Sequence, residues 1–357
     1  MISISAIIAL RNLPMMAING FSSIFFYSGA VLFFFIPISL VCAELTSGWP
    51  KQGGVYAWVS EAFGQQFGAL AIWLEWIESV VWLPTVLSFI AGTVAYLIDP
   101  DLADNRLFLL GVMLTVLWSS SILNFFGMKT SGWVSTVGII LGSIIPGSLI
   151  IILGIIWLII GEPSQISFEP INLLPKDFNF STLVYFTGVM LGFAGIEVAA
   201  YHVPDTKNPQ ITYPRATFIS AITIVILYVL GSLAIAIVVP KEKIFLHAGV
   251  MQAFKSFLEA FNLGWAVKWL AGLAVFGALA LLNTWIIGPS KGLLTSALNG
   301  ELPRFTRYTN NIGSPVAILI LQAFIGTALA CILLFMPSVN SAYWVLNTMA
   351  AQLIKRC

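Results

Sequence analysis

The sequence predicts an all-α, polytopic membrane protein, and three observations carry that prediction. Of 357 residues, 59% are hydrophobic and 9% are charged, whereas a soluble domain carries about a quarter charged. The apolar residues gather in runs of roughly 20, the length that crosses a bilayer as a helix. Most Lys, Arg, Asp and Glu fall between those runs, where water can reach them.

Taken in order, the first run is at about 2–18 and the second at about 22–43. The third, about 67–98, is rich in Trp. The fourth is about 106–126, the fifth about 133–160, the sixth about 181–203 and the seventh about 215–239. An amphipathic segment near 245–258 need not span. The eighth is about 264–298 and the ninth about 314–336; a tenth begins near Ser341 and stops at Cys357. The expectation is about nine complete spans plus a truncated tenth. The first run continues without a small-residue cleavage site, which speaks against a cleavable signal peptide.

Several function classes are disfavoured. A net charge of +1 offers no basic face for nucleic acid. Cys42, Cys331 and Cys357 show no metal or disulfide spacing, and two histidines are too few for a usual zinc site. Neither Gly-x-x-x-x-Gly-Lys-Ser/Thr, His-Glu-x-x-His nor Gly-x-Ser-x-Gly occurs. Nucleotide-driven transport and membrane enzymes of those types are therefore unsupported, and no catalytic residue, metal or cofactor is expected.

Two spans carry interruptions. The first holds Arg11-Asn12-Leu13-Pro14, and the sixth holds Gly192 and Gly195 before Pro204. Irregular backbone at membrane depth is tolerated where it lines a cavity. Spans one and six are corresponding positions in two five-helix halves, here 1–160 and 161–357. That is the pattern of an inverted-repeat secondary transporter with its site at the midplane. Half-helix ends can hold a carboxylate and freed carbonyls an ammonium, the two groups of an amino acid. Alternatively, the glycines allow close helix packing.

Charged residues inside spans are expensive and mark candidate sites. Glu197, in the sixth span, reads as a gating or proton-linked carboxylate, or as a hydrogen bond that fixes an unwound segment. Glu75 and Glu78 are i and i+3, so they share one helix face. Arg11 is their natural countercharge; its other readings are a holder of a substrate carboxylate or a side chain that snorkels to the surface. His202 reads as structural or interfacial, and His247 as an uninvolved residue of an external loop. Trp49, Trp58, Trp73, Trp76 and Trp82 read mainly as interface anchors. Lys and Arg place loops 2–3, 4–5, 6–7 and 8–9 in the cytoplasm of a multi-pass cell-membrane protein, with a shallow bias.

Local motifs add a resemblance. The stretch "ELTSGWPKQGGVYAWVSEAFG" (44–64) supplies Glu44, Pro50, Gly53, Gly54, Tyr56, Phe63 and Gly64. The sixth span supplies Phe193, Gly195 and Glu197, followed by Lys207, Asn208 and Pro209. The third motif is "WIIGPSKGLLTSALNGELP" (285–303). In this order they resemble amino acid–polyamine–organocation permeases, nearest the branch containing glutamate/γ-aminobutyrate antiporters. The resemblance covers nearly the whole chain.

It implies a five-plus-five inverted repeat of leucine-transporter type, with discontinuous helices one and six and normally two further helices. It also implies alternating-access transport of an amino acid, with an exchanged amine or a proton as its other partner besides the lipid bilayer. The helix-one break falls on Ile7, Ile8 and Ala9, and the helix-six break on Gly192, Phe193, Ala194, Gly195 and Ile196. Trp285 matches the aromatic that covers the substrate in some members. This chain departs from the family where many members have Gly-Ser-Gly at the first break, and where some antiporters carry a glutamate at the position of Leu281. Its ends read as truncated, so a non-transporting fragment is the competing expectation.

Overall fold

The computed structural model describes residues 7–49, 53–126, 136–175, 180–198, 208–336 and 338–354. Among them the regular structure is helical, with no strand. The helices are α1 (Asn12–Ala17), α2 (Gly20–Gly48), α3 (Val55–Phe63), α4 (Gln65–Ile98), α5 (Arg106–Phe125) and α6 (Thr136–Ile160). They continue with α7 (Phe180–Phe193), α8 (Pro209–Val238), α9 (Gly249–Ala260), α10 (Ala266–Leu298), α11 (Val316–Phe335) and α12 (Val339–Ile354). Six of them (α2, α4, α5, α6, α8 and α10) are long and apolar enough to cross a membrane; the apolar stretches of α7 and α11 are shorter.

Burial separates central from peripheral helices. The most apolar stretch of α4 is 83% buried, against 28% for α2 and 33% for α5. α4 packs along α10, and α12 lies against α4. Outward residues such as Phe33 (82% exposed) and Leu107 (74%) would be a liability in water. Lipid solvates them at no such cost.

Two of the long helices contain a wide π turn, Val31–Phe35 in α2 and Ile140–Ile144 in α6. Each is followed by an Ile-Pro pair, Ile36-Pro37 and Ile145-Pro146. Proline lacks the N–H and its ring crowds the carbonyl four residues back. Widening the preceding turn relieves both problems without ending the helix.

Most of the described part of the 44–64 stretch is helix. α2 continues to Gly48, and Val55–Phe63 forms α3 after a turn at Gly53 and Gly54. Gly54 has φ +53° and ψ −126°, a conformation open to glycine but strained for other residues. Pro50 lies outside the described residues, as do Lys51, Lys129, His202, Pro204 and Lys207.

Polar contacts gather the loops on two faces. Asn299 Nδ2 donates to Tyr56 Oη at 2.6 Å, and Tyr56 Oη donates to Glu301 Oε1 at 3.2 Å. Asn310 Nδ2 donates to the Phe125 carbonyl at 2.6 Å. Tyr56, the end of α5 at Phe125 and residues 299–310 therefore lie on one face. On the other, residues 18–22, 165–167, 172–175 and 239–242 line an open cavity of about 600 Å³.

His247 is not a bystander of a loop. It is 1% exposed, its ring stacks on Phe245 at 5.6 Å, and its Nε2 lies 2.9 Å from the Ala103 carbonyl. A Cβ at Gly92 of α4 would lie 2.7 Å from the imidazole, so only a glycine admits the ring there. Burial holds the imidazole below its ordinary value of 6.5, against the opposing pull of the Ala103 carbonyl and Asp104. The unfolded chain thus takes up the proton first as pH falls. The stability from neutral His247 is present above pH 6.5 and declines as pH drops from there towards the folded value. The melting temperature of purified protein should fall between about pH 7.5 and about pH 5.5, and fall less in His247→Gln. Equal slopes in the two proteins would sink this assignment.

Candidate functional site

At both predicted positions the described backbone leaves the regular helix. Ile8 and Ala9 are not helical, and α1 begins only at Asn12, with Leu13 N–H reaching Leu10 at 3.1 Å in a tighter turn. Pro14 sits in the first turn of α1, where its missing N–H costs little. The peptide groups freed at the break meet one side chain, Tyr228 of α8. Its hydroxyl donates to the Ile7 carbonyl at 2.6 Å and accepts from Ala9 N–H at 3.2 Å and from Asn12 Nδ2 at 2.9 Å. In lipid an unmet backbone group costs several kcal/mol, so this hydroxyl makes the unwound stretch tenable.

The second break follows Phe193. Ala194 N–H reaches back to Leu191 at 3.2 Å, and Gly195 turns at φ +113°. Its N–H then donates to both carboxylate oxygens of Glu197, at 3.0 and 3.1 Å. Such a hydrogen bond is worth about 0.5–1.5 kcal/mol to a neutral acceptor and about 1.5–3 kcal/mol to a charged one. Glu197 therefore clamps the turn of its own segment.

Glycines bring the neighbours close to α1. An added Cβ would come within 3.2 Å of Asn12 at Gly192, 3.0 Å of Met15 at Gly188, 3.0 Å of Leu13 at Gly231 and 2.7 Å of Pro14 at Gly249. These glycines come from α7, α8 and α9. The close packing posed above as an alternative is present.

The two breaks meet α4 and α10 around an enclosed void of about 10 Å³, lined by Ile7, Arg11, Asn12, Glu78, Trp82, Leu191, Gly192, Ala194 and Trp285. That is room for about one water molecule, so the site is closed. Ile8 and Ala9 line a second void of similar size behind Arg11, with Gly142, Ala278 and Leu281 among its walls. Phe193 points away from both voids; it stacks on Phe35 at 4.7 Å and meets Tyr228 at 5.6 Å. Gly195, Ile196 and Glu197 lie just beyond the void. Glu75 is buried on α4 one turn before Glu78.

The contacts seen for Arg11 are with aromatic side chains rather than with the expected Glu78 or Glu75. Its guanidinium lies 4.4 Å above the Trp82 ring, and Nη1 donates to Tyr343 Oη at 3.0 Å. Glu78 is within electrostatic reach of Arg11, Glu75 and Glu197. At 2% exposure Arg11 does not snorkel to a surface. Trp82 in turn tilts against Trp285 at 5.1 Å. Of the tryptophans read as anchors, Trp49 and Trp73 are exposed, while Trp76 and Trp82 are buried.

Leu191, Tyr228 and Tyr343 escaped the sequence reading, Asn12 appeared there only as part of the interruption, and Trp82 was read mainly as an anchor. Trp82 had a visible signal, because Glu75, Glu78 and Trp82 are i, i+3 and i+7 on one helix face. Tyr228 and Tyr343 had none, since their partners lie more than 200 residues away.

The buried α4 and α10 and the outer helices with exposed apolar faces define a multi-pass membrane protein. The chain belongs to the amino acid permease family, which it matches over residues 1–354. It is 44% identical to an uncharacterized transporter of Legionella pneumophila over 353 residues, 99% of this chain and 76% of that one. It is 31% identical to the glutamate/gamma-aminobutyrate antiporter of Lactococcus lactis over 336 residues, 93% of this chain and 67% of that one. A probable agmatine/putrescine antiporter of Lactococcus lactis is 22% identical, covering 93% of this chain and 70% of that one. These relatives are transporters, not enzymes, and they support amino acid or amine transport or exchange.

Proposed function

We propose that this chain is a secondary transporter of the cell membrane that carries an amino acid, or exchanges it for an amine, by alternating access. Its fold is read as the five-plus-five inverted repeat, with 1–160 and 161–357 as the halves, and loops 2–3, 4–5, 6–7 and 8–9 as cytoplasmic. The substrate sits where α1 and α7 are interrupted, among Ile7, Ile8, Ala9, Arg11, Gly192–Ile196 and Trp285. Glu197, Glu75 and Glu78 serve coupling or gating. The observation that carries this reading is the single void shared by Ile7, Arg11, Glu78, Gly192, Ala194 and Trp285. Residues this far apart in sequence have no packing need to converge on three charged or aromatic groups.

The test is counterflow in proteoliposomes loaded with a mixture of amino acids and amines. Labelled substrate should accumulate against its gradient, and well-folded protein that moves none would sink the reading. Glu197 gives a finer test. Glu197→Gln keeps an acceptor for Gly195 N–H and should stay folded, with its pH dependence of transport altered. Glu197→Ala leaves that N–H unmet and should lose about 1–3 kcal/mol of stability, read as a lower melting temperature. Identical behaviour of the two variants would show that the clamp is unimportant.

A further inference from the structure

We propose that Arg11, rather than the unwound backbone beside it, is the carboxylate anchor of the central site. The protein consequently takes amines that carry a carboxylate and rejects diamines. This rests on the transport reading above.

Three observations converge. First, the backbone of the first break is already engaged. Ala9 N–H is bonded to Tyr228, and the same hydroxyl takes the Ile7 carbonyl and the Asn12 amide. The break reads Ile7-Ile8-Ala9, so no glycine lies within it.

Second, Arg11 is underused. A guanidinium carries five N–H donors in a planar fork. Here Nη1 meets Tyr343, while Nε is buried without a hydrogen-bond partner. A buried donor left unmet is costly, and the fork matches the two oxygens of a carboxylate.

Third, the surroundings fix the polarity of the ligand. Trp82 supports the guanidinium from one side, so the aromatic face that a cationic head group would seek is taken by Arg11 itself. Glu78 lines the same void as Arg11. A guanidinium and a carboxyl group facing one cavity suit a molecule with a carboxylate at one end and an ammonium at the other. A diamine would set an ammonium beside Arg11, like against like.

4-Aminobutyrate and putrescine form the decisive pair, since they have similar length and differ in carrying a carboxylate or a second ammonium. Binding to nanodisc-embedded protein is followed by tryptophan fluorescence and thermal shift for these two and for the L-amino acids; counterflow is measured in parallel. We expect at least one carboxylate-bearing ligand to bind and putrescine to bind at least a hundredfold more weakly. Arg11→Gln should raise the Kd for that ligand tenfold or more, and Arg11→Lys should recover part of the loss. Where Arg11→Gln fails to give monodisperse protein, wild-type protein is treated with phenylglyoxal, and bound ligand should shield Arg11 as read by mass spectrometry. Tight putrescine binding, an unchanged Kd in folded Arg11→Gln, no shielding, or no binding of any carboxylate would each overturn the proposal. Arg11-dependent binding without counterflow would overturn the transport reading alone, and counterflow of putrescine would overturn this inference alone.

Discussion

Gly277→Leu is expected to yield no monodisperse protein in detergent. Gly277 of α10 lies backbone to backbone against Gly142 of α6: a Cβ at 277 would stand 2.5 Å from the Gly142 carbonyl carbon and 2.8 Å from its Cα. Backbone cannot swing aside as a flexible side chain can. One turn away, a Cβ at Gly138 would meet Ala280 at 2.6 Å, so the crossing has no slack nearby. In lipid, helices associate through such close contacts between small residues rather than through the hydrophobic effect. Overpacking usually costs about 1–3 kcal/mol, and forcing two main chains apart belongs at or above the top of that range. The damage would reach the site, because Gly142, Ala274 and Ala278 wall the void behind Arg11. Gly272→Leu is the control: a Cβ there meets nothing within 4 Å, and its effect should stay within about 0.5 kcal/mol. A Gly277→Leu protein with the melting temperature of the wild type would refute the crossing.

Tyr228→Phe should cut transport at least tenfold and lower the melting temperature. The ring and its contact with Phe193 survive, so the packing loss is small. What disappears is the hydroxyl that joins the Ile7 carbonyl, the Ala9 N–H and the Asn12 amide. Each buried group left unmet costs about 1–3 kcal/mol, and two of the three belong to main chain that has no helical alternative. Tyr27→Phe isolates the effect. That hydroxyl shares one hydrogen bond, with Ser232 at 2.9 Å, and its loss should cost about 1 kcal/mol. Equal losses in the two variants would mean that the unwound stretch does not depend on Tyr228.

Much of the helical plan was legible because membrane helices announce themselves by length and apolarity. α5, α10 and α11 begin and end within about two residues of the runs read for them. The breaks were legible too, since glycine and proline carry backbone consequences that do not depend on tertiary contacts. Glu78 and Trp285 could be nominated by burial cost and by resemblance, and they do face one void. Arg11 shows where such reasoning fails. Charge alone assigns it to a carboxylate, but the competing partners were the face of Trp82 and the hydroxyl of Tyr343, and neither signals itself as a receptor for a cation. Glu197 meets the second of its two readings, a hydrogen bond that fixes the segment, although its partner, the main chain two residues back, is a contact that one-letter patterns do not encode. His247 looked idle because its burial comes from Gly92 and Phe245, a fact of packing and not of composition.

The wide turns of α2 and α6 bear on how this chain tolerates changes of length. In a regular helix, removing one residue rotates everything downstream by about 100° and carries buried side chains into lipid. A π turn already holds one residue in excess, so a deletion there restores ordinary winding. Shortening the chain by one within Val31–Phe35 should therefore be far better tolerated than the same deletion two turns later, in the Ile36–Gly48 stretch. The proline that follows each turn sets the limit, because straightened winding would again press its ring on a carbonyl.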